Sequence, residues 1–309
     1  MYRNNEQFKE RRIRAIKEDV RKGGSELSRS ALADIGDYAE ACDVESAMEL
    51  KAELTDLAMT IQQARPSMAV LWNVLQHWIE LMPGMPLDDL DSARQFAADQ
   101  ARMLSETSVR ASKQITQQIS PQVVPGSVVM VHSYSTTVMQ ILKSLQGSEF
   151  KVIMTESRPG IEGRRMARAL SEMQVPTTYI TEAQIGNFVR LADLVLIGAD
   201  SVLQDGSVVN KAGTYLVALA AYDQSVPVWV VAESFKHSPT HADEVELEEM
   251  DPDELQLPEI DFINPRNIYF DITPAKLISA WIDENGYRTE FDQESKPMPA
   301  GLLKVKSGV

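Results

Sequence analysis

Two hydrophobic textures divide this chain. From about Glu6 to Ile119, apolar residues recur at helical spacing among Ala, Leu, Glu, Gln and Met with few β-branched runs, a pattern that predicts helices. Breaks between them fall at Gly23-Gly24, near Cys42-Asp43, at Arg65-Pro66-Ser67 and at Met82-Pro83-Gly84-Met85-Pro86. Past Pro125-Gly126 the pattern changes. Short apolar runs at Val128 to Val131, Lys151 to Met154, Leu194 to Ile197 and Val228 to Val231 alternate with helical segments, as strands buried on both faces of a parallel sheet do. The predicted fold class is α/β, with a helical domain over residues 1–122 and a doubly wound parallel-sheet domain over 123–309. Near the end, Asn264-Pro265 introduces a strand at Ile268 to Phe270 and a last helix from Pro274 to Glu284, stopped by Asn285-Gly286. The tail beyond Asp292 reads as loosely committed.

Each apolar run empties into polar residues where a strand should stop and a helix start. Val131 leads into His132-Ser133-Tyr134-Ser135, Met154 into a turn from Thr155 to Arg165 rich in Arg and Gly, Ile197 into Gly198-Ala199-Asp200-Ser201, and Val231 into Ala232-Glu233-Ser234-Phe235-Lys236. Asn210-Lys211-Ala212-Gly213-Thr214 opens a further helix with a cation and a hydroxyl at its start. In α/β folds, ligands settle outside the carboxyl ends of parallel strands, where helix N-termini offer N–H groups and Arg binds oxyanions two bonds at a time. The Arg158-Pro159 turn alone reads equally as the entry to an amphipathic helix; the series makes it a grip for a phosphorylated ligand.

Charge and composition narrow the field. Lys and Arg total 30 against 45 Asp and Glu, a net charge of −15, with no long basic stretch; direct nucleic-acid binding through a positive surface is not expected. The single cysteine, Cys42, excludes an internal disulfide framework and a cysteine-based metal cluster, and fits a reducing cytoplasm. The first residues, Met1-Tyr2-Arg3-Asn4-Asn5, lack the apolar core of a signal peptide, and no window approaches eighteen uninterrupted apolar residues, so no membrane association is expected. Ten carboxylates and no Lys or Arg lie between Ala242 and Asp261; their loose spacing matches no rigid metal-ligand pattern and reads as a solvated loop. No metal and no cofactor is expected. Trp72, His77 and Trp78 lie at helical spacings in an apolar stretch, as core or domain-interface residues do.

Taken in order, Glu156-Ser157-Arg158-Pro159, Gly198-Ala199-Asp200, Asn210-Lys211 with Gly213-Thr214, and Ala232-Glu233-Ser234-Phe235-Lys236 resemble one superfamily. It comprises the α, β and δ regulatory subunits of translation initiation factor two B, the archaeal ribose-1,5-bisphosphate isomerases and, more distantly, the methylthioribose-1-phosphate isomerases. Arg65-Pro66-Ser67-Met68 and Phe270-Asp271-Ile272-Thr273-Pro274 also match family positions, so the resemblance spans nearly the whole chain. It implies a helical domain packed on a Rossmann-like domain, a pocket between them for a phosphorylated sugar or an AMP-like nucleotide, a homodimer or higher homo-oligomer, and contact with an initiation factor as one open role. By the same resemblance, Arg65 and Arg158 hold phosphate with Gly23, Gly24 and Ser25. Asn210 and Lys211 take sugar hydroxyls and a phosphate, Lys236 completes the positive rim, and Ser135 and Glu156 join the ligand-binding set.

The isomerase branches resemble one another in a cysteine and aspartate pair. Asp200 matches the aspartate, but the cysteine position is Ser133. A free thiol has a pKa of about 8.5 that local dipoles bring toward neutrality, whereas a serine hydroxyl stays far out of reach, so Ser133 is a poor acid/base at carbon. His132 is the alternative base, its ordinary pKa being suited to proton transfer; its other role is to orient a neighbouring loop. Asp200 serves equally as a helix cap or hydroxyl acceptor, Glu233 as a partner of the Arg158 turn, and Ser133 and Ser135 as caps of a helix from Thr136 to Leu145. The reading is a binding protein for a sugar phosphate or nucleoside monophosphate, with an active aldose–ketose isomerase or a translation-factor subunit acting by protein contact as alternatives.

Overall fold

The computed structural model describes residues 5–19, 22–65 and 68–298. Expectations placed on residues 1–4, on Pro66 and Ser67, and on the tail beyond residue 298 lie outside them. The chain forms two compact units, Met1–Arg110 and Ala111–Val309.

The first unit is helical: α1 (Asn5–Lys17), α2 (Gly24–Ala41), α3 (Ala47–Gln62), α4 (Ala69–Leu81) and the start of the long α5 (Leu90–Ile119). Leu50, Leu54, Leu57 and Ile61 of α3 follow the four-three-four spacing that keeps one helix face inward, and all are fully buried. Ser46 caps this helix by accepting from the Glu49 amide at 3.2 Å. Of the three aromatic-stretch residues, only Trp78 belongs to the core, its Nε1 donating to the Ala97 carbonyl at 3.1 Å. Trp72 is 47% exposed and His77 is also at the surface, because α4 buries Val70, Leu71, Val74, Leu75 and Trp78 and turns the other face out.

The second unit runs β1 (Val128–Val131), α6 (Thr136–Ser144), β2 (Lys151–Thr155), α7 (Gly163–Glu172), β3 (Thr177–Ile180), α8 (Ile185–Phe188), β4 (Leu194–Ile197), β5 (Ser201–Val202), β6 (Val208–Lys211), α9 (Thr214–Asp223), β7 (Val228–Val231), β8 (Phe270–Thr273), β9 (Ala280–Asp283) and β10 (Gly286–Arg288). Among the described residues, seven strands form a sheet in the order β10-β9-β7-β4-β1-β2-β3, parallel except for β10. Strands β5, β6 and β8 make a small antiparallel sheet beside it.

Alternation along the strands explains the continuous apolar runs. Val129 and Val131, Leu194 and Leu196, and Trp229 and Val231 pack on one face with α6, α7 and the end of α5. Met130, Val195, Ile197, Val228 and Val230 pack on the other with α8 and α9. With both faces covered, polar residues are pushed to the strand ends. No helix among the described residues is long and apolar enough to cross a membrane.

Four expectations are corrected. The strand placed at Ile268 to Phe270 lies at Phe270–Thr273. The last helix, Pro274 to Glu284, is a single 3-10 turn at Ala275–Leu277 followed by β9, which pairs in parallel with β7 through Trp229 and Ala280. Its four residues are all buried, so sheet pairing overrides a helix-compatible sequence. Asn285-Gly286 stops no helix: Asp283 faces Gly286 across a two-residue hairpin whose Gly takes φ 144°. Finally, Asn210 and Lys211 end β6 rather than opening a helix, and α9 begins at Thr214.

Candidate functional site

Parallel pairing of β1, β2, β4 and β7 brings their polar ends to one edge. Glycines let the following helices press against it. A Cβ on Gly163 would stand 2.2 Å from the Thr155 carbonyl oxygen, so α7 starts where only Gly fits. A Cβ on Gly198 would meet Ser135 Oγ at 2.7 Å, and Ser135 itself caps α6 by accepting from the Val138 amide at 3.3 Å. Ser133 does not cap: with φ 63° it turns the chain, and its amide donates to Ser157 Oγ at 2.8 Å.

His132, 3% exposed, spans the site floor. Nε2 lies 3.0 Å from the Ala212 carbonyl oxygen, which can only accept, so this nitrogen carries the proton. Nδ1 therefore accepts from Thr155 Oγ1 at 2.6 Å; Ser157 Oγ is left to donate to Thr155 Oγ1 at 3.1 Å and to accept from Ser133 N. Burial, above all, holds the imidazole pKa below its ordinary value; the neighbouring Glu182 carboxylate opposes this only in part. Both ring nitrogens are occupied, one joining the end of β1 to β2 and the other to the β6–α9 turn.

The candidate ligand groups of this unit sit around that frame. Half-buried Arg158 donates from Nη2 to the Leu255 carbonyl at 3.2 Å. Glu156, beside it, is held by its amide on the Ile180 carbonyl at 2.8 Å. Lys211, 4% exposed, has its Nζ 2.6 Å from Glu162 Oε1 and 3.5 Å from the centre of the Tyr269 ring. The approach to Glu162 lacks hydrogen-bond alignment, and Nζ makes no hydrogen bond. Asn210 donates to Thr214 Oγ1 at 3.0 Å. Lys236, also buried, donates to the Ala199 carbonyl at 2.6 Å, next to Asp200, whose amide bonds the Val209 carbonyl at 2.9 Å. Buried Glu233 accepts from Thr137 Oγ1 at 3.4 Å.

In the helical unit, Gly23 is the N-cap of α2 without a side-chain cap, and Gly24 and Ser25 form its first turn. Ser25 Oγ is buried without a hydrogen bond. Arg65, 3% exposed, donates to the Asp19 carbonyl at 2.8 Å, and the Lys22 amide donates to Asp19 Oδ1 at 2.8 Å. Arg65 and the turn before α2 therefore share Asp19 as an anchor.

Several participants are not among the site residues expected from the sequence. Thr155, Ser157 and Glu182 build the His132 frame, Glu182 accepting from the Ser157 amide at 2.8 Å. Asp271 caps α9 from 58 residues away in sequence, accepting from Gly213 N at 2.7 Å; burial raises its pKa to about 6 against the pull of these amides. The acidic segment is more than a solvated loop: Glu254 accepts from Tyr269 Oη and from Asn267 Nδ2, and Leu255 meets Arg158.

Fold and site define an α/β protein with polar and charged groups where its parallel strands end, joined to a helical unit. The chain belongs to the initiation factor 2 subunit family, whose model matches residues 20–290. It is 37% identical over 240 residues to a translation initiation factor eIF-2B subunit 2-like protein of Pyrococcus furiosus, covering 77% of this chain and 81% of that one. It is 29% identical over 279 residues to the ribose 1,5-bisphosphate isomerase of the same organism, covering 86% and 85%. The crystal structure of translation initiation factor eIF-2B from Pyrococcus horikoshii OT3 matches it with a TM-score of 0.80 at 31% identity, over 91% of this chain and 96% of that one.

Proposed function

We propose that this chain binds a phosphorylated sugar or a nucleoside monophosphate at the carboxyl edge of its parallel sheet. Arg158, Lys211 and Lys236 supply positive charge, Asn210 and Asp200 meet sugar hydroxyls, and Ser135 and Glu156 line the approach. Arg65 with Gly23, Gly24 and Ser25 takes the phosphate-holding role that the family resemblance assigns them. The observation that carries this reading is the buried Lys211, whose ammonium makes no hydrogen bond and is met, among the described residues, only by Glu162 Oε1 at 2.6 Å and the face of the Tyr269 ring.

Isomerase chemistry is weak or absent in this reading, because Ser133 stands where the isomerase branches have a cysteine and His132 has both nitrogens engaged. The relative named ribose 1,5-bisphosphate isomerase keeps a second reading in view, an aldose–ketose isomerase using Asp200. Incubation of the protein with ribose 1,5-bisphosphate, followed by NMR of the sugar, separates the two. Binding without turnover is expected; ketose formed at enzymatic rates selects the isomerase.

A homo-oligomer completes the proposal. Helix α9 buries Val217, Ala218 and Ala221 but exposes Tyr215, Leu216, Leu219 and Tyr222, and a groove of about 710 Å³ runs beside it. An apolar face of this kind suits a second copy of the chain. Sedimentation should return a dimer or larger, reduced by Leu219→Glu.

A further inference from the structure

The Glu162–Lys211 pair has unused hydrogen-bonding capacity on both sides. Glu162 Oε2 is buried without a hydrogen bond, as is Lys211 Nζ, although Oε1 and Nζ stand 2.6 Å apart. The carboxylate folds back over Gly160 within the Arg158 turn: a Cβ on Gly160 would lie 2.8 Å from Glu162 Oε1. Glu162 does not cap α7, although it occupies the N-cap position. Its side chain is 15% exposed against 4% for Lys211, so Glu162 is the less buried partner.

We propose that Glu162 is a built-in competing anion that a ligand must displace from Lys211 and that selects for ligands with a phosphate dianion over those with a carboxylate. This rests on the binding reading above. A ligand carboxylate arriving at Lys211 offers what Glu162 already provides and gains nothing by displacing it. A phosphate carries more charge and a third oxygen, enough to satisfy the ammonium protons that Glu162 leaves unmet, while the released carboxylate moves outward to water. A buried ion pair with incomplete hydrogen bonding is a weak competitor, which makes the exchange favourable.

The test titrates wild-type protein, Glu162→Gln and Gly160→Ala with ribose 1,5-bisphosphate and with a sugar carboxylate, ribonate, by calorimetry, after thermal melts establish that each variant is folded. Glu162→Gln removes the charge in place; Gly160→Ala crowds the carboxylate out of its seat, so either variant reports if the other fails to fold. Wild type is expected to bind the bisphosphate and not ribonate. Each variant is expected to bind the bisphosphate about tenfold more tightly and to gain measurable ribonate affinity, as loss of one nearby like charge requires. Bisphosphate affinity unchanged or weakened in the variants, with wild type binding normally, overturns the role given to Glu162 and leaves the binding site standing. No bisphosphate binding by any of the three proteins overturns both.

Discussion

His132 Nε2 and the carbonyl oxygen of Ala212 face each other at 3.0 Å across the floor of the site. Since the carbonyl has no proton to give, the relationship fixes the tautomer, and with it the direction of the chain through Thr155 and Ser157 to the Ser133 amide. His132 thus ties three loops together through both of its ring nitrogens. Nitrogen-resolved NMR should find a neutral ring with its proton on Nε2 at neutral pH, with the imidazolium forming only below the ordinary histidine range, because burial disfavours it. An imidazolium forming at or above about pH 6.5 would contradict this role.

The edge depends on glycines that allow contact with backbone. Gly163→Ala drives a Cβ into the Thr155 carbonyl at 2.2 Å, where no side chain can give way. Gly186, in α8, has nothing within 4 Å of a Cβ. Urea unfolding should show Gly163→Ala losing about 2 kcal/mol or more, as overpacking against a fixed atom does, with Gly186→Ala within about 0.5 kcal/mol of wild type. Equal losses at the two positions would remove the case for a tight β2–α7 junction.

Asp271 gives stability a pH signature. Its pKa is raised from 3.8 to about 6, mainly by desolvation, so the folded state binds a proton that the unfolded state has released. The contribution is therefore fully present below about 3.8, is lost as pH rises through about 6, and stays lost above. Asp271→Asn is neutral throughout. The melting temperature of wild type minus that of Asp271→Asn should fall as pH is raised across this window and then level off; a difference that is flat or rises with pH counts against a desolvated carboxylate.

Ser133→Cys introduces a group whose ordinary pKa is about 8.5 at the turn after β1. With the turn held by the Ser157 contact, the variant should isomerise ribose 1,5-bisphosphate at least about tenfold faster than wild type, read by NMR, given the usual scale of acid–base catalysis. No gain in a folded, ligand-binding variant would show that Ser133 does not occupy the cysteine position.

Sequence revealed the strand ends because β1, β2, β4 and β7 are buried on both faces, which makes their cores continuous and leaves polar residues nowhere but the termini. The family followed from the order of those termini. What stayed hidden depends on partners distant in the chain. Ala280–Asp283 becomes a strand only because β7 offers a free edge, and Ser279 Oγ accepts from the Val228 amide at 3.0 Å to start the pairing. Asp271 caps a helix 58 residues earlier, and Glu162 reaches Lys211 across the gap between two sheets. Helical spacing placed Trp72, His77 and Trp78 in one apolar stretch but not on one face, which only packing decides.

A phosphate grip at the Arg158 turn is tested by calorimetry with ribose 1,5-bisphosphate and AMP on wild type and Arg158→Ala. Micromolar binding of at least one of these ligands is expected in wild type, weakened about thirtyfold or more by loss of the guanidinium, as removal of a charge-assisted contact implies. Absence of binding to wild type, or equal affinity in a folded Arg158→Ala, would contradict it.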